Sequence, residues 1–131
     1  HVFALSLASE AIDDCRSGRV GTIVLVGHSF GATGALMMAD RLNKVGMQVA
    51  LIVTLDPVIK NSVPGNVVRL ENFYVSSGVG TTVQPGANFH GSLKNVDLKD
   101  NPELGHVSVT TFPAMQKQVV HDIMAANARC R

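Results

Sequence analysis

Tryptophan is absent, tyrosine occurs once, and five phenylalanines are scattered along the 131 residues. The chain therefore offers no aromatic platform for stacking bases. An excess of one charge is also missing. Eleven Lys and Arg face ten Asp and Glu, the formal net charge is +1, and no basic run occurs. That balance excludes the electrostatic footprint of a nucleic-acid or anionic-membrane binder. No apolar stretch approaches the ~20 residues needed to span a bilayer. The apolar start, His1 to Ala11, lacks the basic flank of a signal peptide and runs into Asp13 and Asp14, so it reads as a helix. His rather than Met stands first, and the chain is expected not to begin at its gene's start. Two cysteines, Cys15 and Cys130, are too few for a disulfide scaffold. They are expected to be free thiols on helices, which leaves the compartment open.

What is present is the composition of an ordinary globular domain, 46% hydrophobic and 16% charged. The length suits one domain, residues 1–131, with a single core. Over residues 2–16, Leu5, Ala8, Ile12 and Cys15 recur at spacings of three and four, and Gly18 is placed to stop a helix. Thr22 to Val26 is a short β-branched run that predicts a strand buried on both faces. Ala32 to Val45 predicts a helix with an Ala32, Ala35, Leu36, Ala39, Leu42 stripe, ended by Gly46. A second buried strand is expected over 49–55, breaking sharply at Asp56 because Pro57 follows. A third strand candidate covers 66–76. Residues 77–105 are rich in Gly, Asn and Pro, with at most a short strand near Ser92 to Leu98. Thr111 is placed to cap a last helix displaying Phe112, Met115, Val119, Val120, Ile123 and Met124 on one side. This alternation implies an α/β fold, a mostly parallel sheet flanked by helices.

Gly27-His28-Ser29-Phe30-Gly31 matches G-x-S-x-G. In a chain with 12 glycines the motif alone is moderate evidence; its place between a buried strand and a small-residue helix adds more. A tight strand-to-helix turn projects a Ser hydroxyl above the sheet, and a Cβ at Gly27 or Gly31 is expected to collide across that turn. The Phe30 N–H, just after the Ser, is the expected oxyanion donor, aided by the positive end of the following helix. His28 is expected to point away from Ser29.

GHSFGATGALMMA followed by VALIVTLDPV resembles the α/β-hydrolase superfamily, especially serine esterases and lipases with a GHSxGA elbow and a later LDP. The resemblance runs from about Thr22 to the final helix. It implies a truncated α/β-hydrolase fold lacking the opening strands, and a Ser–Asp–His triad that cleaves a small-molecule acyl ester through an acyl-enzyme. In the family's order of Ser, acid, His, the base is expected at His106, before the last helix, with His90 and His121 as lesser candidates. Pancreatic-type lipases carry the acid in their LDP, which corresponds to Asp56; Asp97 is the alternative. No cofactor and no metal are implied. Thioesterase chemistry on the same fold, and an inactive module used for binding, remain the other readings. A dinucleotide site fits poorly: the spacing is GxxxGxxG, with bulky His28 and Phe30 where phosphates must approach backbone. Without opening strands, the run from Thr22 to Val26 becomes an unprotected apolar edge. It is expected to pair with itself in a homodimer or to need an N-terminal segment.

Overall fold

The computed structural model describes residues 2–131, with the side chains of Val2, Phe3 and Leu5 outside the description; the expected stripe role of Leu5 lies there. Helix α1 (Val2–Arg16) buries Ala4, Ala8, Ile12 and Cys15. Strand β1 (Val24–His28) leads through Ser29 into helix α2 (Phe30–Lys44). Strands β2 (Leu51–Leu55), β4 (Arg69–Tyr74) and β6 (Ser92–Asp97) follow, with helix α3 (Pro113–Ala125) last. The main sheet has the order β1-β2-β4-β6 and every pairing is parallel. One face carries α1 and α2 over Leu25, Ile52 and Leu70. The other carries α3, with Met115, over Leu51, Val53, Leu55 and Phe73. The α/β class with a parallel sheet flanked by helices is thus what the periodicities predict. Among the described residues, no helix is long and apolar enough to cross a membrane.

Several details differ from the sequence expectations. β1 begins at Val24 instead of Thr22 and extends through Gly27 to His28. It is an edge strand, so it is not buried on both faces: Val26 is 48% exposed. A second, two-stranded parallel sheet joins β3 (Asn61–Val63) to β5 (Val83–Pro85); strands of three residues are too short to show a period. The last helix is preceded by a 3₁₀ turn (Ser108–Thr110), and its N-cap is Phe112, not Thr111. Its inward face uses Met115, Val119, Asp122 and Ile123, while Val120 and Met124 point to solvent.

The cysteines are not free. Cys15, in the last turn of α1, is bonded to Cys130, and the two are separated by 115 residues in sequence. Backbone bonds from Cys130 N–H to the Gly21 carbonyl and from Gln48 N–H to the Cys130 carbonyl lay the C-terminus beside α1. Closing so long a loop removes unfolded-state entropy worth about 4–5 kcal/mol in the chain-entropy account.

Asp122 points inward into a polar contact. Glu71 on β4 and Asp122 on α3 are both buried, and Arg69 bonds to Glu71 and lies 3.9 Å from Asp122. Among the described residues Glu71 Oε2 and Asp122 Oδ2 are buried without a hydrogen-bond partner, and one proton shared between the two carboxyls would satisfy both. Burial, then the hydrogen bond with Asp122, raises the Glu71 carboxyl above its usual range. Burial acts to raise Asp122 too, but hydrogen bonds with Glu71, His121 and Gln118 outweigh it and the group is lowered. The Glu71 contribution to stability is therefore full below its unfolded value and is lost as pH rises through its folded one. The Asp122 contribution is lost as pH falls through its own lowered value. Docking of α3 is strongest between these limits. On the alkaline side, stability should fall by about 1.4 kcal/mol for each tenfold change in Glu71 proton affinity. Glu71→Gln, a neutral donor at every pH, should flatten that limb of a thermal-midpoint profile. A profile unchanged by the substitution would contradict the shared proton.

Candidate active site

The C-terminal ends of β1 and β2 lie side by side, with His28 in register with Leu55. Ser29 and Asp56 are therefore the residues that leave adjacent parallel strands at the same sheet edge, where side chains of an open α/β sheet converge on a ligand. Both leave in the left-handed half of backbone space, Ser29 at φ 59° and Asp56 at φ 49°. For residues with a Cβ that conformation is sparsely populated and is held by its surroundings. Ser29 N–H donates to the Leu55 carbonyl (3.0 Å), and Asp56 N–H to the Phe73 carbonyl (2.8 Å). The expected chain break at Asp56 occurs, although through a positive φ instead of the extended geometry that Pro57 favours.

Gly27 behaves as the motif requires. A Cβ there would lie 2.3 Å from the Gly31 carbonyl oxygen, so only glycine lets β1 and α2 meet at this turn. The same expectation fails for Gly31, where an added Cβ meets nothing within 4 Å outside its own turn. Its role in the turn is as the close backbone neighbour of Gly27. Phe30 is the first residue of α2, so its amide lies in the helix's first turn, immediately beyond Ser29.

His106 comes from the irregular segment between β6 and the 3₁₀ turn. Its Nε2 lies 2.9 Å from Ser29 Oγ and its Nδ1 lies 2.6 Å from Asp56 Oδ2. Asp56 is buried, while the His106 side chain is one-third exposed. The second carboxylate oxygen, Asp56 Oδ1, accepts the Val75 N–H at 2.8 Å. Three residues chosen from sequence are thus joined in one hydrogen-bonded chain, carboxylate to imidazole to hydroxyl. No protein-family model, curated protein or solved structure matches this chain. What the site can do is read from its own side chains. An imidazole whose Nδ1–H is held by a carboxylate presents a basic Nε2 to a hydroxyl, the arrangement that makes a serine oxygen nucleophilic.

The other candidates lie apart. His90 is exposed in the loop before β6. His121 is on α3, 80% exposed, and bonds to Asp122. Asp97 accepts the Ser76 and Lys99 N–H groups (3.2 and 3.0 Å). The Ser76 hydroxyl is the chief cause of a lowered Asp97 carboxyl, and Asp97 shapes the end of β6. The expectation for His28 concerned Ser29 alone, and its contacts are with His106: its ring centroid is 4.8 Å from that of His106, and its Nε2 lies 2.5 Å from the His106 carbonyl oxygen.

Sequence reasoning also missed the support beneath Asp56. Asn72, fully buried on β4, accepts from Thr54 Oγ1 (2.8 Å) and donates to the Thr81 carbonyl (3.0 Å) and to Asn95 Oδ1 (2.9 Å). Asn95 in turn holds both backbone groups of Val83, and Thr81 N–H donates to the Pro57 carbonyl (2.8 Å). This network holds the loop after β4 over Asp56 so closely that a Cβ on Gly80 would lie 1.8 Å from Asp56 Oδ1. The fully polar Asn72 at the centre of a strand was the only signal for it.

Proposed function

We propose that this chain is a serine hydrolase of carboxylic esters, of esterase or lipase type, with the strand–turn–helix arrangement of an α/β-hydrolase. The observation that carries the reading is the unbroken hydrogen-bonded chain from Ser29 Oγ through His106 to Asp56, with Ser29 raised on a left-handed turn between strand and helix. In the proposed reaction His106 Nε2 takes the Ser29 proton as Oγ attacks the ester carbonyl. The Phe30 N–H and the positive end of α2 stabilise the developing oxyanion. His106 then passes its proton to the departing alcohol oxygen, leaving an acyl-Ser29 ester. A water molecule deprotonated by His106 attacks that ester and releases the carboxylic acid, returning the proton to Ser29. Throughout, Asp56 holds the imidazole tautomer and offsets the imidazolium charge. A short-to-long series of acyl esters, with matched thioesters, tests the reaction class. Hydrolysis of esters is expected; turnover of thioesters alone would move the assignment to a thioesterase, and no turnover of either would leave a binding module.

The partner proposed for this fold is an extended strand on the free edge of β1. Apolar grooves border that edge on both sheet faces, one floored by Leu25, Gly34 and Met38, the other by Leu55, Met115 and Val119. Such an edge has no charge or proline to protect it. A second copy or a segment N-terminal to this one would cover it. Light scattering at low concentration, with mass spectrometry for a co-purifying fragment, checks this, and a fully active monomer with no second chain would refute it. A buried disulfide fits an oxidising compartment.

A further inference from the structure

We infer that His28, the residue before the nucleophile, is a positioning residue that fixes the backbone of the His106 base. The inference rests on the reading of Ser29, His106 and Asp56 as a catalytic set. His106 lies in an irregular segment, and such segments have the mobility of loops unless something ties them to the sheet. Within it, Leu104 N–H donates to the Asn101 carbonyl, Gly105 N–H to Ser108 Oγ, Ser108 Oγ to the Glu103 carbonyl, and Val109 N–H to the Gly105 carbonyl. These bonds shape the segment but all close inside it. Leu104 and Val109 anchor it by burial, which fixes depth better than orientation. The His28 side chain does something different. Its Nε2 is 2.5 Å from the carbonyl oxygen of His106 itself, so it ties the base's own peptide to the strand that carries the nucleophile.

A carbonyl oxygen only accepts, so His28 Nε2 carries the proton, and does so in both the neutral and the cationic ring. His28 and Ser29 are adjacent in the chain, while His28 bonds to the His106 backbone and Ser29 to the His106 ring. The three residues form a closed ring of contacts that restricts how far the His106 backbone can move from Ser29. Asp56 holds the ring's far nitrogen, but through a single contact about which the imidazole can still tilt. The two imidazoles stack at a tilt, 37° between planes, and the His28 hydrogen bond goes to the His106 backbone. Its action on the reaction is therefore through His106.

Three proteins test this: the parent, His28→Phe, which keeps a ring but has no donor, and His28→Gln, which restores an N–H. Ester turnover and the rate of Ser29 labelling by a fluorophosphonate are measured, with thermal midpoints. His28→Phe should lower kcat and the labelling rate together, roughly 10- to 100-fold, the range expected when a reacting group is displaced by about 1 Å. KM should be nearly unchanged, and His28→Gln should recover most of the loss at an equal thermal midpoint. His28→Phe with parental kcat and labelling rate would overturn the inference, as would Gln and Phe variants equally impaired. A parent that does not label at Ser29 would fail the hydrolase reading itself, a result distinct from either.

Discussion

Ser29→Ala is expected to abolish ester hydrolysis while leaving the fold intact. The substitution removes one oxygen and one hydrogen bond, that to His106 Nε2. The left-handed backbone at this position already carries a Cβ, so alanine adds no new strain. The surroundings that hold the turn are unchanged: the Ser29 N–H bond to Leu55 and the close approach of Gly27 to Gly31 are both backbone features. Without Oγ there is nothing to acylate, and the loss should be on the order of 10⁶ in kcat, as for the equivalent change in a serine protease. Circular dichroism and a thermal midpoint near the parent's would show that the loss is chemical. Residual turnover within tenfold of the parent would sink Ser29 as nucleophile.

Asp56→Asn should be nearly as damaging, and the reason lies in which way the new amide must face. Asp56 Oδ1 accepts the Val75 N–H and Oδ2 accepts from His106 Nδ1. An asparagine has one acceptor and one donor end. Presenting its NH₂ to the Val75 N–H would set two donors against each other inside a buried site, so the oxygen stays there and the NH₂ turns to His106. That makes Nδ1 the acceptor and moves the imidazole proton to Nε2, which can no longer take a proton from Ser29. The expected cost is at least ~10² in kcat, approaching the ~10⁴ seen for the same tautomer error elsewhere. Asp97→Asn, which disturbs only the Ser76 and Lys99 contacts, should cost far less. If kcat ranked the two variants the other way round, the acid would have to be reassigned to Asp97.

The parts of this site that sequence made legible are those whose signal is local. The elbow is five consecutive residues, and β2 announces itself as an apolar run interrupted only by Thr54 and buried at every position. Asp56 and His106 were reachable because the resemblance implies their order along the chain, and the structure brings His106 to Ser29 and Asp56 to His106. What escaped depends on contacts between distant segments. Nothing near Cys15 or Cys130 indicates that the C-terminus folds back beside α1. His28 looks inert in sequence because its partner is a backbone carbonyl 78 positions away. Asn72 lies in a strand otherwise read from its apolar residues, and its meaning appears only when Thr54, Thr81 and Asn95 are placed around it. Val120 and Met124 fit a helical stripe by spacing, yet both are exposed, and the buried face of α3 carries Asp122 instead.

The most direct measurement of the central claim is covalent capture of the nucleophile. The parent protein, treated with a fluorophosphonate at neutral pH and digested, should yield one adduct, on the peptide containing Gly27 to Gly31. Fragmentation should place it on Ser29. Labelling should be lost in His106→Ala and much slowed in Asp56→Asn, because only an activated hydroxyl displaces fluoride at a useful rate. An unlabelled Ser29, or an adduct that forms equally fast without His106, would contradict the account.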